Sequence, residues 1–107
     1  MMNSKPKVIT LCGSTRFRAE YEQAIRVLTL QGMIVISVGL FGHQEAMDLD
    51  GPVKERLDEL HLRKIDISDE IFVINPGGYI GESTRREVEY ATLNRKVVKY
   101  LEAVERP

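Results

Sequence analysis

Two regimes of hydrophobic patterning alternate along the chain: short unbroken apolar runs, and longer stretches in which apolar residues recur every three or four positions. Lys7-Val8-Ile9-Thr10-Leu11-Cys12 is a β-branched run stopped by Gly13-Ser14-Thr15, which predicts a buried strand entering a turn. Phe17, Tyr21, Ala24, Ile25 and Leu28 then follow helical spacing to Gln31, with Ser14 or Thr15 as the expected N-cap and Gly32 placed where a helix ends. Met33 to Val38 predicts a second strand. Val53, Leu57, Leu60, Lys64 and Ile67 outline one face of a helix that opens at Pro52 and stops near Ser68-Asp69. Ile71 to Asn75 predicts a third strand, Glu82 to Asn94 a third helix with Val88, Ala91 and Leu93 marking its buried stripe, and Lys96 to Leu101 a fourth strand.

Strands alternating with helices predict an α/β fold: a single doubly wound, flavodoxin-like or Rossmann-like domain over residues 1–107, with a four- to five-stranded, mostly parallel sheet. Ligand chemistry in such sheets belongs at the C-terminal ends of the strands. Three segments converge on that rim: Gly13-Ser14-Thr15-Arg16, the Gly39 to Gly51 stretch expected as a mobile loop, and Asn75 through Glu87.

Composition narrows the function classes. Fifteen Lys and Arg nearly balance sixteen Asp and Glu, for a net charge of -1, so no basic field draws the chain to a nucleic-acid polymer or a membrane. The polar start of the chain and the absence of a long apolar stretch point to a cytoplasmic location. With one cysteine and two histidines, no stretch has zinc-ligand spacing, and neither metal nor cofactor is expected.

Two glycine-rich helix starts carry the candidate binding chemistry. Gly13-Ser14-Thr15-Arg16 offers backbone N–H groups, two hydroxyls and a guanidinium to a phosphate or ribose, although helix capping accounts for the same hydroxyls. Gly77-Gly78-Tyr79-Ile80-Gly81-Glu82-Ser83-Thr84 repeats that physics, with Tyr79 able to stack on a base; a flexible loop is its plainer reading. In the next helix Glu87 and Glu89 point about 200° apart, so only one of them faces the cleft. His61 suits an acid-base or orienting role and equally a helix-packing one. Asp69 reads as a site acid or as a helix terminator, and Cys12 as a small core residue.

Laid out this way, Leu11-Cys12-Gly13-Ser14-Thr15-Arg16, the Ile65 to Asn75 segment containing Asp69, and Glu87-Val88-Glu89-Tyr90-Ala91 resemble the nucleoside 2-deoxyribosyltransferase superfamily, which includes deoxynucleoside monophosphate N-glycosidases. The resemblance spans most of the chain. It implies that Glu87, which opens a Glu-x-x-x-Ala stretch, attacks the anomeric carbon of a nucleoside or nucleotide. It also implies that Asp69 and His61 assist, and that the ligand lies against Cys12, Gly13, Ser14, Thr15, Arg16, Tyr79, Gly81, Ser83 and Thr84. Where the family carries an acid about eight positions before the third-strand acid, this chain has His61, and its Asn75 to Thr84 loop is longer than in the nucleotide hydrolases.

Three functions follow as expectations: an N-glycosidase or deoxyribosyltransferase that needs no cofactor, a nucleotide-binding or sensing module of the same fold, and a structural domain. Their partner is a small nucleoside or nucleotide. A cleft on so small a domain also predicts a homodimer or higher homo-oligomer.

Overall fold

The computed structural model describes residues 5–41 and 51–104; residues 42–50, most of the loop expected at 39–51, lie outside the described residues. Four strands, β1 (Val8–Gly13), β2 (Ile34–Ile36), β3 (Glu70–Ile74) and β4 (Val97–Tyr100), form an all-parallel sheet in the order β2-β1-β3-β4. Helices α1 (Arg18–Leu30), α2 (Gly51–Asp66) and α3 (Glu82–Leu93) connect them, with one 3-10 turn at Pro76–Gly78. The fold is therefore the α/β, doubly wound, Rossmann-like arrangement that the alternation of patterns predicts, with four strands among the described residues. None of the described helices is long and apolar enough to cross a membrane.

Strand alternation divides β1 between two cores. Ile9 and Leu11 join Tyr21, Ala24 and Ile74 on the α1 side, while Cys12 joins Ile65, Ile71, Val73 and Ala91 on the α2–α3 side. Because successive side chains point to opposite faces, one residue of register separates an apolar layer from a layer that carries a thiol. The chain reverses strand order between β1 and β3, so the crevice beyond their C-terminal ends opens at the switch point of the sheet.

Three local expectations are corrected. The N-cap of α1 is Phe17, with no side-chain capping bond, because the Ser14 hydroxyl instead accepts hydrogen bonds from the backbone N–H and Nε of Arg16. Along α2 and just beyond it, most of the expected face is outside: Val53, Leu60 and Ile67 are exposed and Leu57 and Lys64 only half-buried, and the buried positions of the helix are His61 and Ile65. On α3 the buried residues are Thr84 and Ala91, while Leu93 is exposed.

The opposite end of the sheet is stapled by polar side chains. Asp69 Oδ2 accepts the Val8 N–H at 2.8 Å, and the Asp69 N–H donates to the Val8 carbonyl. Buried Glu70 pairs with Lys7 at 2.6 Å and with Lys99 at 3.5 Å. Thr10 and Ser68 hydroxyls bond each other, and Ser68 also donates to the Lys64 carbonyl in the last turn of α2.

Candidate functional site

Gly13 closes β1 at the switch point with φ 150°, and a Cβ there would stand 2.7 Å from the Ile74 carbonyl oxygen of β3. Only glycine lets the two strand ends approach this closely while the chain turns into the first loop. Tyr21 on α1 is fully buried and donates its hydroxyl hydrogen to the Gly13 carbonyl at 2.9 Å, which fixes that turn from the other face.

One residue earlier, Cys12 points toward α2 and α3. Its Sγ lies 3.2 Å from Nε2 of His61, and the same nitrogen lies 3.6 Å from Oε1 of Glu87. A strand end, α2 and α3 thus each supply one polar side chain to a single cluster whose ligating atoms lie within 4.8 Å of one another. The sequence gives Cys12, His61 and Glu87 no common spacing; only the packing of both helices on one face of β1 joins them.

Burial sets the protonation of this cluster. It raises Glu87 to about 7, with the Asp58 charge adding to the rise and Cys12, Lys54 and Arg86 opposing it. It lowers His61 to about 4, with Lys64 pushing the same way and Asp58 the other. Burial, and then the charge of Glu87, push the Cys12 thiol up. At neutral pH the cluster is consequently a thiol, a neutral imidazole and a carboxyl group shared between its two protonation states, and the His61–Glu87 contact is a polar contact rather than a salt bridge. Neutral His61 suits orientation of its neighbours, and is too weak a base to serve as a proton-bearing acid near pH 7.

Glu87 is the most exposed of the three, and its 17% exposed side chain lines a groove between α2 and α3. Asp58, Leu62, Ser83, Arg86 and Tyr90 complete that groove, whose volume of about 190 Å³ is smaller than that of pockets that enclose a whole nucleotide. Glu89 is exposed, so Glu87 is the acid that faces inward.

The remaining site residues fall into separate places. Arg16 lies with its guanidinium 4.5 Å from the Tyr79 ring centroid, and Phe17 meets the same ring edge-on at 6.0 Å, so the first loop and the Tyr79 loop form one rim. Half-buried Thr15 belongs to that first loop. Gly81 caps α3, and a Cβ there would meet the Tyr79 hydroxyl at 3.1 Å. Ser83 is exposed in the groove, whereas Thr84 is buried under α3 and presents no surface to a ligand there. Asp69 does not join the cluster: it precedes β3 and bonds the start of β1, a strand length of about 16 Å from the rim where Gly13 pairs with Ile74.

One anchoring device was invisible to spacing arguments. Buried Asn75, just after β3, donates from Nδ2 to the Glu102 carbonyl and accepts the Glu102 N–H at Oδ1, while the Glu102 carboxylate accepts the Gly77 N–H at 3.0 Å. The segment after β4 is thereby bound to the turn that leads into Tyr79. No protein-family model and no curated protein matches the chain.

Proposed function

We propose that the protein is an N-glycosidase or deoxyribosyltransferase-like enzyme for a nucleoside or nucleotide, with Glu87 as nucleophile, as its resemblance to the nucleoside 2-deoxyribosyltransferase superfamily implies. The observation that carries this reading is the inward-facing Glu87 carboxyl, buried against a strand end at the switch point and open on one side to a groove. In the reaction the Glu87 oxygen bonds to C1' of the sugar as the C1'–N bond breaks, and the bonding pair leaves with the base, which takes up a proton. Water then opens the glycosyl ester and regenerates the carboxyl group; in the transferase variant a second base takes the place of water.

His61, neutral at neutral pH, serves in this reading to orient Glu87, and the Arg16–Tyr79 rim beside Gly13 and Ser14 receives the sugar or its phosphate. Exposed Val53 and Leu60 on α2 support a homo-oligomer, and sedimentation of the purified chain tests that point. A second reading, a binding module without turnover, is favoured by the small groove and by the proton that Glu87 retains near pH 7.

Incubation with a panel of ribo- and deoxyribonucleosides and their 5'-monophosphates, followed by chromatography for free base, separates the two. The catalytic reading expects base release that rises as pH passes through about 7 and falls to background in Glu87→Gln. Release undiminished in Glu87→Gln overturns the nucleophile. No release from any member, with a melting-temperature rise on binding one of them, replaces catalysis by binding.

A further inference from the structure

Cys12, His61 and Glu87 have a property that nucleotide chemistry does not use: they form a mixed sulfur, nitrogen and oxygen donor set with one atom from each residue. Tetrahedral zinc with Zn–S near 2.3 Å and Zn–N and Zn–O near 2.1 Å places its ligand atoms about 3.4 to 3.6 Å apart. The Cys12–His61 and His61–Glu87 separations of 3.2 and 3.6 Å already match those edges within about 0.4 Å. His61 presents a single nitrogen, Nε2, to both partners, and the third pair, Cys12 Sγ and the Glu87 carboxylate, lies within 4.8 Å, so all three donors surround one small volume.

Charge and access agree with the geometry. A thiolate and a carboxylate together balance a dication, with neutral imidazole as the third ligand, so a loaded site places no net charge in the buried layer. Sulfur and imidazole donors select zinc-class cations over magnesium and calcium, which take oxygen. Cys12 is fully buried and His61 nearly so, while Glu87 opens onto the groove, which leaves a fourth coordination position and an entry path on that side.

We propose that Cys12, His61 and Glu87 bind one zinc-class divalent cation, with the fourth position facing the groove between α2 and α3. The inference goes beyond the glycosidase reading and does not depend on it, although both use Glu87. A bound ion holds the Glu87 carboxylate away from nucleophilic attack, so base release is assayed in the presence of a chelator and metal binding is measured without substrate.

Chelator-treated protein is dialysed against Zn²⁺ for metal analysis, and separately titrated with Co²⁺ for absorption spectroscopy. The site predicts one Zn²⁺ per chain that is lost in Cys12→Ser and His61→Gln, and a thiolate-to-cobalt charge-transfer band that is absent in Cys12→Ser. Glu87→Gln retains the band and binds at least about tenfold more weakly, by analogy with the loss of one coordinating or supporting group. Circular dichroism of each metal-free variant establishes that it is folded, and the wild-type cobalt spectrum stands without any variant. Absence of the charge-transfer band in the wild-type protein, or zinc content unchanged in both Cys12→Ser and His61→Gln, overturns the proposal. Either result leaves the base-release experiment in chelator unaffected.

Discussion

The two faces of β1 are built to opposite specifications. Toward α1, Ile9 and Leu11 meet Tyr21, Ala24 and Ile74 in an apolar layer in which the buried Tyr21 hydroxyl is satisfied by the Gly13 carbonyl. Toward α2 and α3, Thr10 and Cys12 meet Ser68, His61 and Glu87, so the alternate positions of the same strand carry hydroxyl, thiol, imidazole and carboxyl contacts. The strand pleat alone makes that division. One face supplies cohesion and fixes the strand end; the other holds buried polar groups that cohesion alone does not call for, since burying them costs free energy unless each finds a partner.

Neighbouring residues on the two faces should therefore respond differently to truncation. Leu11→Ala removes a fully buried side chain from the apolar layer and is expected to cost about 3 kcal/mol, read as a lower urea midpoint. Cys12→Ala removes one sulfur atom from the polar layer and is expected to cost about 1 kcal/mol, since the thiol's partners His61 and Glu87 retain each other. Equal losses at the two positions would mean that Cys12 belongs to the structural core in the same sense as Leu11, and the contrast between the faces would disappear.

Titration tests the polar face more directly. Glu87 rises in the folded protein from its ordinary 4.5 to about 7, so its contribution to stability is fully present below pH 4.5 and is lost as pH rises through 7. His61 falls from 6.5 to about 4, so its contribution is present above pH 6.5 and is lost as pH falls through 4. Between pH 4.5 and 6.5 the two slopes oppose each other, and the metal-free wild-type protein should show a plateau. Glu87→Gln leaves only the histidine slope, so relative to wild type it gains about 3 kcal/mol between pH 4.5 and pH 8. Urea unfolding at both pH values, with chelator present, checks this. A difference between the proteins that does not change with pH would remove the buried proton from Glu87.

How much of this was legible in the sequence differs between the faces in the same way. The α1 face was readable because Tyr21, Ala24, Ile25 and Leu28 repeat at helical spacing beside a β-branched strand, and the observed layer contains them. On α2 the helical spacing of Val53, Leu57, Leu60, Lys64 and Ile67 marks a different face: Val53, Leu60 and Ile67 are exposed and Leu57 and Lys64 half-buried, while the apolar residues that pack are Leu62 and Ile65. The packing face runs through His61 and Ile65 to Ser68, where a histidine and a serine occupy positions that a hydropathy pattern assigns to solvent. Glu87 was singled out through the resemblance, and the helical wheel separated it from Glu89, but its meeting with Cys12 was beyond both. Residues from β1, α2 and α3 come together only once the order β2-β1-β3-β4 places both helices over the same side of the first strand.

Asp69 shows the opposite limit, a residue whose place in the chain beside the third strand suggested chemistry and whose bond is structural. Its carboxylate accepts the Val8 N–H at 2.8 Å and so replaces one ladder bond at the exposed N-terminal end of the two central strands, away from Glu87. Asp69→Ala is expected to cost about 1 kcal/mol, the net worth of one hydrogen bond open to water, because solvent can take over the freed N–H. Base release and cobalt spectrum should both stay at wild-type levels in this variant at temperatures where it is folded. A drop in base release without a matching drop in the urea midpoint would return Asp69 to the reaction, and would require the acid to act on the rim from the far end of the strand, which the register of β1 on β3 opposes.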